Sequence, residues 1–285
     1  MLVIAYMSIE GMNDANREVL YSCVAPERRE QLRARKNRTS ADLSLAGEAL
    51  ARVMLCQMVR QLEIERKDSC DCIPDDFPYS GGMSGVIQPK DFVIAKDENG
   101  KPYQETVPGL FFNISHSGTM VACGMAGENI GVDIQKRTDG VKVSKKVLCP
   151  EEMEEERCRE KAGTADLSCC FTEIWTRKES YLKLTGEGLR KAMTSLHVRK
   201  MQEDGECQWF GGWVTEEYCM YACVEGVVVN GAAGKEACGA ERKTKDCITT
   251  DASEAKQDAR AKENGCQICR ISLKEIVECI RENDM

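Results

Sequence analysis

The architecture of this chain depends on two nearby segments, Phe111-Phe112-Asn113-Ile114-Ser115-His116-Ser117-Gly118 and Ile130-Gly131-Val132-Asp133-Ile134-Gln135. The apolar run 121–126 lies between them and is joined to the second segment by the turn-forming residues Gly127-Glu128-Asn129. This arrangement predicts a β-hairpin between residues 121–126 and 130–135.

Alternation along the second segment brings two oxygen-bearing side chains to one face. Successive side chains of a strand point in opposite directions. Asp133 and Gln135 are therefore predicted to project together, while Val132 and Ile134 face a core.

A later motif, Trp175-Thr176-Arg177-Lys178-Glu179-Ser180-Tyr181-Leu182-Lys183, has helical spacing. Glu179 and Lys183 are four residues apart, so they share one face of the predicted helix. A carboxylate and an ammonium group thus project side by side.

Together these side chains suit phosphoryl transfer. Mg²⁺ prefers a few carboxylate or amide oxygens and completes its coordination with water and phosphate oxygens. Asp133, Glu179 and Gln135 are candidates for the metal. The reaction also needs cations around the phosphates, a base for the attacking hydroxyl and an acid or cation for the leaving oxygen. The candidate positive groups are His116, Lys101, Lys178 and Lys183.

In these motifs the chain resembles the Sfp-type 4′-phosphopantetheinyl transferase family. Residues 130–135 and 175–183 are similar to its two hallmark motifs. Asn113-Ile114-Ser115-His116-Ser117 and Gly100-Lys101-Pro102-Tyr103 precede them in the order that the family uses. The similarity extends in patches from about Ala25 to residues 268–276 at the C-terminal end.

The resemblance implies an α+β (α/β) fold of two similar, pseudo-symmetric halves with the active site in the cleft between them. We expect an N-terminal half over residues 1–126, on the carrier and coenzyme A side. The C-terminal half, residues 127–285, would carry the metal and catalytic motifs. Polar or turn-rich segments at about 67–99 and 231–265 look inserted.

The reaction implied by the resemblance is Mg²⁺-dependent transfer of the phosphopantetheine arm of coenzyme A to a serine of an apo acyl or peptidyl carrier protein. Adenosine 3′,5′-bisphosphate is released, and Mn²⁺ is an alternative metal. We expect a monomer without nucleic-acid or membrane partners.

The resemblance also assigns roles to individual residues. Asp133 would ligate the metal, and Glu179 would be a second ligand and the base for the serine. Lys183 would stabilise or protonate the departing phosphate. The implied contacts with coenzyme A are Ser115 and His116 at the 3′-phosphate, Lys101 and Tyr103 near the nucleotide, and Lys178 at the pyrophosphate.

Two positions depart from the family pattern. Gln135 stands where many members have a glutamate, which keeps an oxygen ligand but removes a negative charge. Leu43 stands where relatives commonly have a basic residue, and Arg35 or Arg38 are candidates to supply that charge.

Other interpretations remain open. The Glu179/Lys183 pair has the spacing of an ordinary helix-stabilising pair, and His116 is a candidate structural histidine. His197 is predicted to lie in a strand over residues 196–199. A catalytically eroded coenzyme A-binding protein and a coenzyme A phosphodiesterase are alternative functions. A serine hydrolase lacks support because Ser115 and His116 point apart on one strand and no G-x-S-x-G motif is present.

Composition narrows the class further. A net charge of −8 disfavours nonspecific nucleic-acid binding, although residues 28–38 are locally basic. This basic run is either a solvated helix face or a surface for coenzyme A phosphates or an acidic carrier protein. The 17 cysteines lack zinc-ligand spacing and accompany no recognisable signal peptide, which predicts reduced thiols and a cytoplasmic location.

Periodicity predicts the elements that carry these motifs. Strands are expected over residues 2–9, 196–199, 209–215, 218–224 and 266–271. Helices are expected over residues 26–35, 44–62, 150–161, 172–185 and 273–281.

Overall fold

The structure is a computed structural model that describes residues 2–68, 87–138, 143–162, 166–188, 192–226, 261–263 and 266–283. The described strands are β1 (Leu2–Ser8), β2 (Ile94–Lys96), β3 (Pro102–Gln104), β4 (Phe111–Ser117), β5 (Met120–Ala126), β6 (Ile130–Lys136), β7 (Cys207–Trp213), β8 (Tyr218–Glu225), β9 (Ala261–Glu263) and β10 (Cys266–Arg270). The helices are α1 (Asp14–Ser22), α2 (Pro26–Arg33), α3 (Arg38–Asp68), α4 (Ser144–Val147), α5 (Pro150–Ala162), α6 (Leu167–Thr185), α7 (Val198–Glu203) and α8 (Leu273–Asn283). The protein has the predicted mixed α+β class.

The strands form three sheets. A five-stranded sheet has the order β4-β5-β1-β10-β9, a three-stranded sheet has the order β6-β8-β7, and β2 pairs with β3. In the larger sheet β1 is parallel to β10 and antiparallel to β5. The predicted pseudo-symmetry stays a prediction.

The predicted hairpin between residues 121–126 and 130–135 is wrong. β5 pairs with β1 on one side and β4 on the other, whereas β6 pairs with β8 in a different sheet. All seven residues of β5 are buried, as expected for an interior strand whose two edges are both occupied. The hairpin is instead β4–β5, and Gly118 in its two-residue turn has a φ of 57°.

Strand β6 is joined to β4 by side chains. Alternate residues of β4 carry polar groups that accept hydrogen bonds from alternate N–H groups of β6, and we call this set the side-chain ladder. Its bonds run from Val132 N to Asn113 Oδ1 (2.9 Å), from Ile134 N to Ser115 Oγ (3.3 Å) and from Lys136 N to Ser117 Oγ (3.0 Å). The ladder therefore satisfies one edge of β6 and connects the two larger sheets.

The C-terminal segment returns to the N-terminal part of the fold. After pairing with β1, the chain continues into α8, whose apolar face packs in the same core as α1, α3 and β5. The buried residues of that face are Leu273, Ile276, Val277 and Ile280. Residues 266–283 thus pack with elements of the first predicted half.

Helix α6 packs directly on β6. It begins after Asp166, whose carboxylate accepts N–H groups of the first turn, and ends at Gly186 with a φ of 72°. A Cβ at Gly131 would lie only 2.0 Å from the carbonyl oxygen of Ser180 and 2.3 Å from the nitrogen of Leu184. Glycine is therefore required for this close contact between helix and strand.

Other predictions can now be compared with the structure. Residues 196–199 are not a strand, because His197 is the N-cap of α7 and its Nδ1 accepts the N–H of Lys200 at 3.0 Å. The described part of the insertion predicted at 67–99 includes the buried residues Ile87 and Phe92. Its residues 69–86, and most of the 231–265 insertion, lie outside the described residues. Among the described helices, none combines the length and apolar character of a membrane span.

Replacing Gly131 with alanine should destabilise the protein by about 3 kcal/mol, at the upper end of the usual effect of overpacking, because the new methyl group meets backbone atoms. Denaturant unfolding measures this change. Gly127→Ala is the matched control, since its Cβ would meet only one atom, at 4.0 Å. Equal stability of the two variants would contradict the packing of α6 on β6.

Candidate active site

Asp133 lies in the middle of β6 and is only 5% exposed. Its Oδ1 accepts a hydrogen bond from the Ser115 hydroxyl at 2.8 Å and another from the Lys183 ammonium group at 2.6 Å. Its Oδ2 is buried and has no hydrogen-bond partner within the described part of the chain. A buried carboxylate oxygen without a partner is costly, so this atom is a candidate ligand atom.

Glu179 projects from α6 and is half-buried beside Asp133. Burial, and then the negative charge of Asp133, raise the pKa of Glu179. The charge of Lys183 and a hydrogen bond from Trp175 act in the opposite direction. The charge of Asp133 thus disfavours ionisation of Glu179, as expected for a site that accepts a cation.

Lys183 is the lysine of the predicted set that keeps a free proton. Its Nζ donates to Ser115 Oγ at 2.7 Å and to Asp133 Oδ1 at 2.6 Å, and the side chain is 30% exposed. An ammonium group has three protons, so one proton faces the open side of the site. The predicted role of Lys183 towards a departing phosphate stays a prediction.

Lys178 is not part of this group. It is fully buried, and its Nζ donates to Glu152, to the carbonyl oxygen of Val147 at 2.8 Å and to that of Met193 at 3.1 Å. All three protons are used within the protein, and the predicted contact with pyrophosphate stays a prediction. Adjacent side chains on a helix point about 100° apart, which directs Lys178 away from the face of Glu179.

Lys101 is also saturated. Its Nζ donates to Asn129 Oδ1 at 2.9 Å and to the carbonyl oxygens of Ile130 and Leu184 at 3.2 and 3.3 Å. Burial lowers the pKa of this ammonium group. Lys101 therefore fixes the end of α6 against the start of β6, and no proton remains to bind a nucleotide as predicted.

Tyr103 lies at a neighbouring cleft. This cleft has a volume of about 380 Å³ and is lined by Lys101, Tyr103, Phe111 and the end of α6, but not by Asp133 or Glu179. Tyr103 is 42% exposed and its hydroxyl donates to Glu105 at 3.1 Å. Its ring remains available at the cleft, so the predicted position near a nucleotide stays a prediction.

Ser115 has a different environment from the one predicted. A hydroxyl group donates one hydrogen bond and accepts two. The hydroxyl of Ser115 donates to Asp133 and accepts from the N–H of Ile134 and from Lys183. Because its capacity is filled, the structure does not support the predicted contact with the 3′-phosphate.

His116 lies at the surface on the opposite face of β4 from Ser115. Partial burial lowers the pKa of its imidazole, and the charges of Lys183 and Arg35 lower it further. Arg35 donates to the hydroxyl of Ser44 at 2.7 Å. Leu43 is buried. Of Arg35 and Arg38, the two candidates named from the sequence, Arg35 is the one whose positive charge acts on His116.

Three neighbouring arginines of the basic run are engaged elsewhere. Arg28 pairs with Glu48 at 2.9 Å, Arg33 with Glu18 at 2.8 Å, and Arg38 lies 3.6 Å from Asp14. Arg35 has no acidic partner among the described residues. Its charge is therefore available at the edge of the site. The sequence alone did not decide whether Arg35 or Arg38 supplies this charge.

The acidic residues fit a divalent cation. Gln135 lies two residues after Asp133, so the strand places it on the same face, and its amide nitrogen donates to the carbonyl oxygen of Lys136 at 3.4 Å. The described residues contain no cluster of three His, Cys, Asp or Glu side chains. A cation here would use Asp133 Oδ2 and Glu179, with Gln135, water or phosphate oxygens completing its coordination.

Comparison with known proteins shows which family this site resembles. Residues 129–225 match the family model of the 4′-phosphopantetheinyl transferase superfamily. This part of the chain is therefore similar to the superfamily. The matched range contains Asp133, Gln135, Glu179 and Lys183.

Curated relatives carry the same description. The chain is 32% identical over 120 residues to a 4′-phosphopantetheinyl transferase of Bacillus subtilis, a match that covers 42% of this chain and 52% of the relative. It is 26% identical over 196 residues to 4′-phosphopantetheinyl transferase Sfp of Bacillus subtilis (strain 168), covering 68% and 74% of the two chains. It is 28% identical over 204 residues to 4′-phosphopantetheinyl transferase gsp of Aneurinibacillus migulanus, covering 70% and 73%. The chain thus spans about half the length of the first relative and nearly three quarters of the others.

Glu179→Gln should raise the melting temperature of the metal-free protein at pH 7. The raised pKa of Glu179 means that folding disfavours its charged form, so the carboxylate costs stability above the ordinary carboxyl pKa of 4.5. The gain should vanish below that pH, where the carboxyl is protonated in both the folded and unfolded states. Thermal unfolding at pH 4 and pH 7 measures it, with exposed Glu216→Gln as the control. A variant that is less stable at both pH values would contradict the proximity of the two carboxylates.

Proposed function

We propose that this protein is a Mg²⁺-dependent 4′-phosphopantetheinyl transferase that modifies a serine of an apo acyl or peptidyl carrier protein. The observation that carries the proposal is the unpartnered Oδ2 of Asp133, which lies in a buried site beside Glu179 and Lys183. Similarity to the superfamily supports coenzyme A as the substrate. The proposal includes a cytoplasmic, monomeric protein and Mn²⁺ as an alternative metal.

The reaction forms a bond between the carrier serine oxygen and the phosphorus that bears the pantetheine arm. The bond from that phosphorus to the adenosine 3′,5′-bisphosphate group breaks. Bound Mg²⁺ would offset negative charge on the pyrophosphate. Asp133, Glu179 and Gln135 would hold it.

Two side chains of α6 manage the protons. Glu179 accepts the proton of the attacking serine, and its raised pKa strengthens it as a base. Lys183 donates its remaining proton to the phosphate oxygen that departs. Because they are four residues apart on α6, a single helix face serves both the attacking and the leaving oxygen.

Arg35 and His116 are proposed to bind the 3′-phosphate of coenzyme A. Arg35 lies within charge range of His116 and has no acidic partner among the described residues, and Lys183 adds a second positive charge near His116. The imidazole is neutral at pH 7 because its pKa is lowered. A phosphate dianion between these groups would favour the protonated imidazole.

Incubation with apo carrier protein, coenzyme A and Mg²⁺ tests the activity directly. Intact-mass spectrometry of apo acyl and peptidyl carrier proteins should show a mass gain of one phosphopantetheine arm, and a chelator should abolish it. Glu179→Gln should reduce the rate at least 100-fold, whereas Gln135→Glu should retain activity or bind metal more tightly. If coenzyme A binds but no carrier protein gains mass, the eroded binding protein is favoured. Hydrolysis of coenzyme A in the absence of a carrier protein would favour a phosphodiesterase.

Arg35→Ala should raise the KM for coenzyme A about tenfold, since a hydrogen bond to a charged group contributes roughly 1.5–3 kcal/mol. The KM for 3′-dephospho-coenzyme A, which lacks the phosphate, should change little. Arg33→Ala is the matched control because Arg33 pairs with Glu18. An equal increase in the KM for both substrates in Arg35→Ala would contradict the assignment of Arg35 to the 3′-phosphate.

A further inference from the structure

Ser115 differs from the other two side chains of the side-chain ladder. Asn113 and Ser117 accept N–H groups of β6, as Ser115 does. Only Ser115 also contacts functional groups of the candidate active site, because its hydroxyl is bonded to Asp133 Oδ1 and to the ammonium group of Lys183. A single atom of β4 therefore links the backbone of β6, a candidate metal ligand and the candidate acid.

These bonds give the two carboxylate oxygens of Asp133 different environments. Oδ1 receives both the Ser115 hydroxyl and Lys183, while Oδ2 receives no hydrogen bond from the described residues. The hydroxyl lies 2.7 Å from Lys183 Nζ and so helps to keep the ammonium group on the Oδ1 side. Without it, Lys183 would be free to move towards Oδ2 and compete with a cation for that atom.

We propose that Ser115 is a positioning residue that holds Asp133 and Lys183 so that one carboxylate oxygen is reserved for the metal. This inference rests on the proposed function. It assigns Ser115 to the metal end of the site and leaves the phosphate of coenzyme A to other side chains. Groups that orient a metal ligand through a hydrogen bond typically contribute 10–100-fold to metal affinity.

The test compares Ser115→Ala with Ser117→Ala. Each variant removes one serine hydroxyl that accepts an N–H of β6, but only the first removes contacts with Asp133 and Lys183. Titration with Mn²⁺ alone, followed by electron paramagnetic resonance of the free ion, should show at least tenfold weaker binding to Ser115→Ala than to Ser117→Ala. In transfer assays Ser115→Ala should have a lower kcat with an unchanged KM for coenzyme A.

Two results would overturn the proposal. One is equal Mn²⁺ affinity of the two variants, and the other is a raised KM for coenzyme A with unchanged kcat, which would place Ser115 at the substrate. If Ser115→Ala does not fold, Ser115→Cys keeps the side-chain volume with a weaker donor and acceptor, and the same comparisons decide.

The wild-type protein separates this proposal from the proposed function. Wild-type protein that binds no Mn²⁺ would overturn the metal site and the positioning role together. Wild-type protein that binds Mn²⁺ more tightly than Ser115→Ala, yet transfers no arm to any carrier, would overturn the activity alone.

Discussion

The side-chain ladder between β4 and β6 is the constraint on which the rest of the molecule depends. Two backbones in adjacent strands normally bond to each other directly. Here side chains take that role, so two sheets meet without merging, and three polar residues are required on one face of an otherwise partly apolar strand. The ladder thereby places polar groups in the interior beside Asp133. At the surface water would satisfy such groups, but here they must bond to one another.

The number of protons that each lysine donates within the protein distinguishes two structural lysines from one that is suited to catalysis. Lys101 ties α6 to β6, and Lys178 ties α6 to the segments on its other side, each with all three protons donated. The two lysines hold the helix at its end and along its far face. Lys183, held by two bonds only, projects from a helix that has little freedom to rotate. Such preorganisation keeps catalytic groups in place before substrate arrives.

Local periodicity correctly predicted the features of the site that depend only on residues close together in the sequence. The shared face of Glu179 and Lys183 followed from helical spacing, and the shared face of Asp133 and Gln135 followed from strand alternation. The hairpin prediction failed because the partner of β6 is β8, more than 80 residues later in the chain. The partners of Ser115 and Lys101 come from several elements that are distant in sequence, so local periodicity could not predict them. Lys178 lies one residue before Glu179, and helical spacing already placed it on another face. The predicted contacts of these three residues with coenzyme A stay predictions.

Helix α3 also fixes the chain where it returns from the first insertion. Arg52 donates to the carbonyl oxygens of Pro89 and Phe92 at 3.0 and 2.8 Å, and Glu48 orients the guanidinium group. Strands β2 and β3, which flank Lys101, follow directly after this anchored segment. These bonds reach backbone carbonyl groups, which every residue carries. The exposed side chains between Pro89 and Phe92 can therefore vary in sequence without loss of the bonds that hold this part of the backbone.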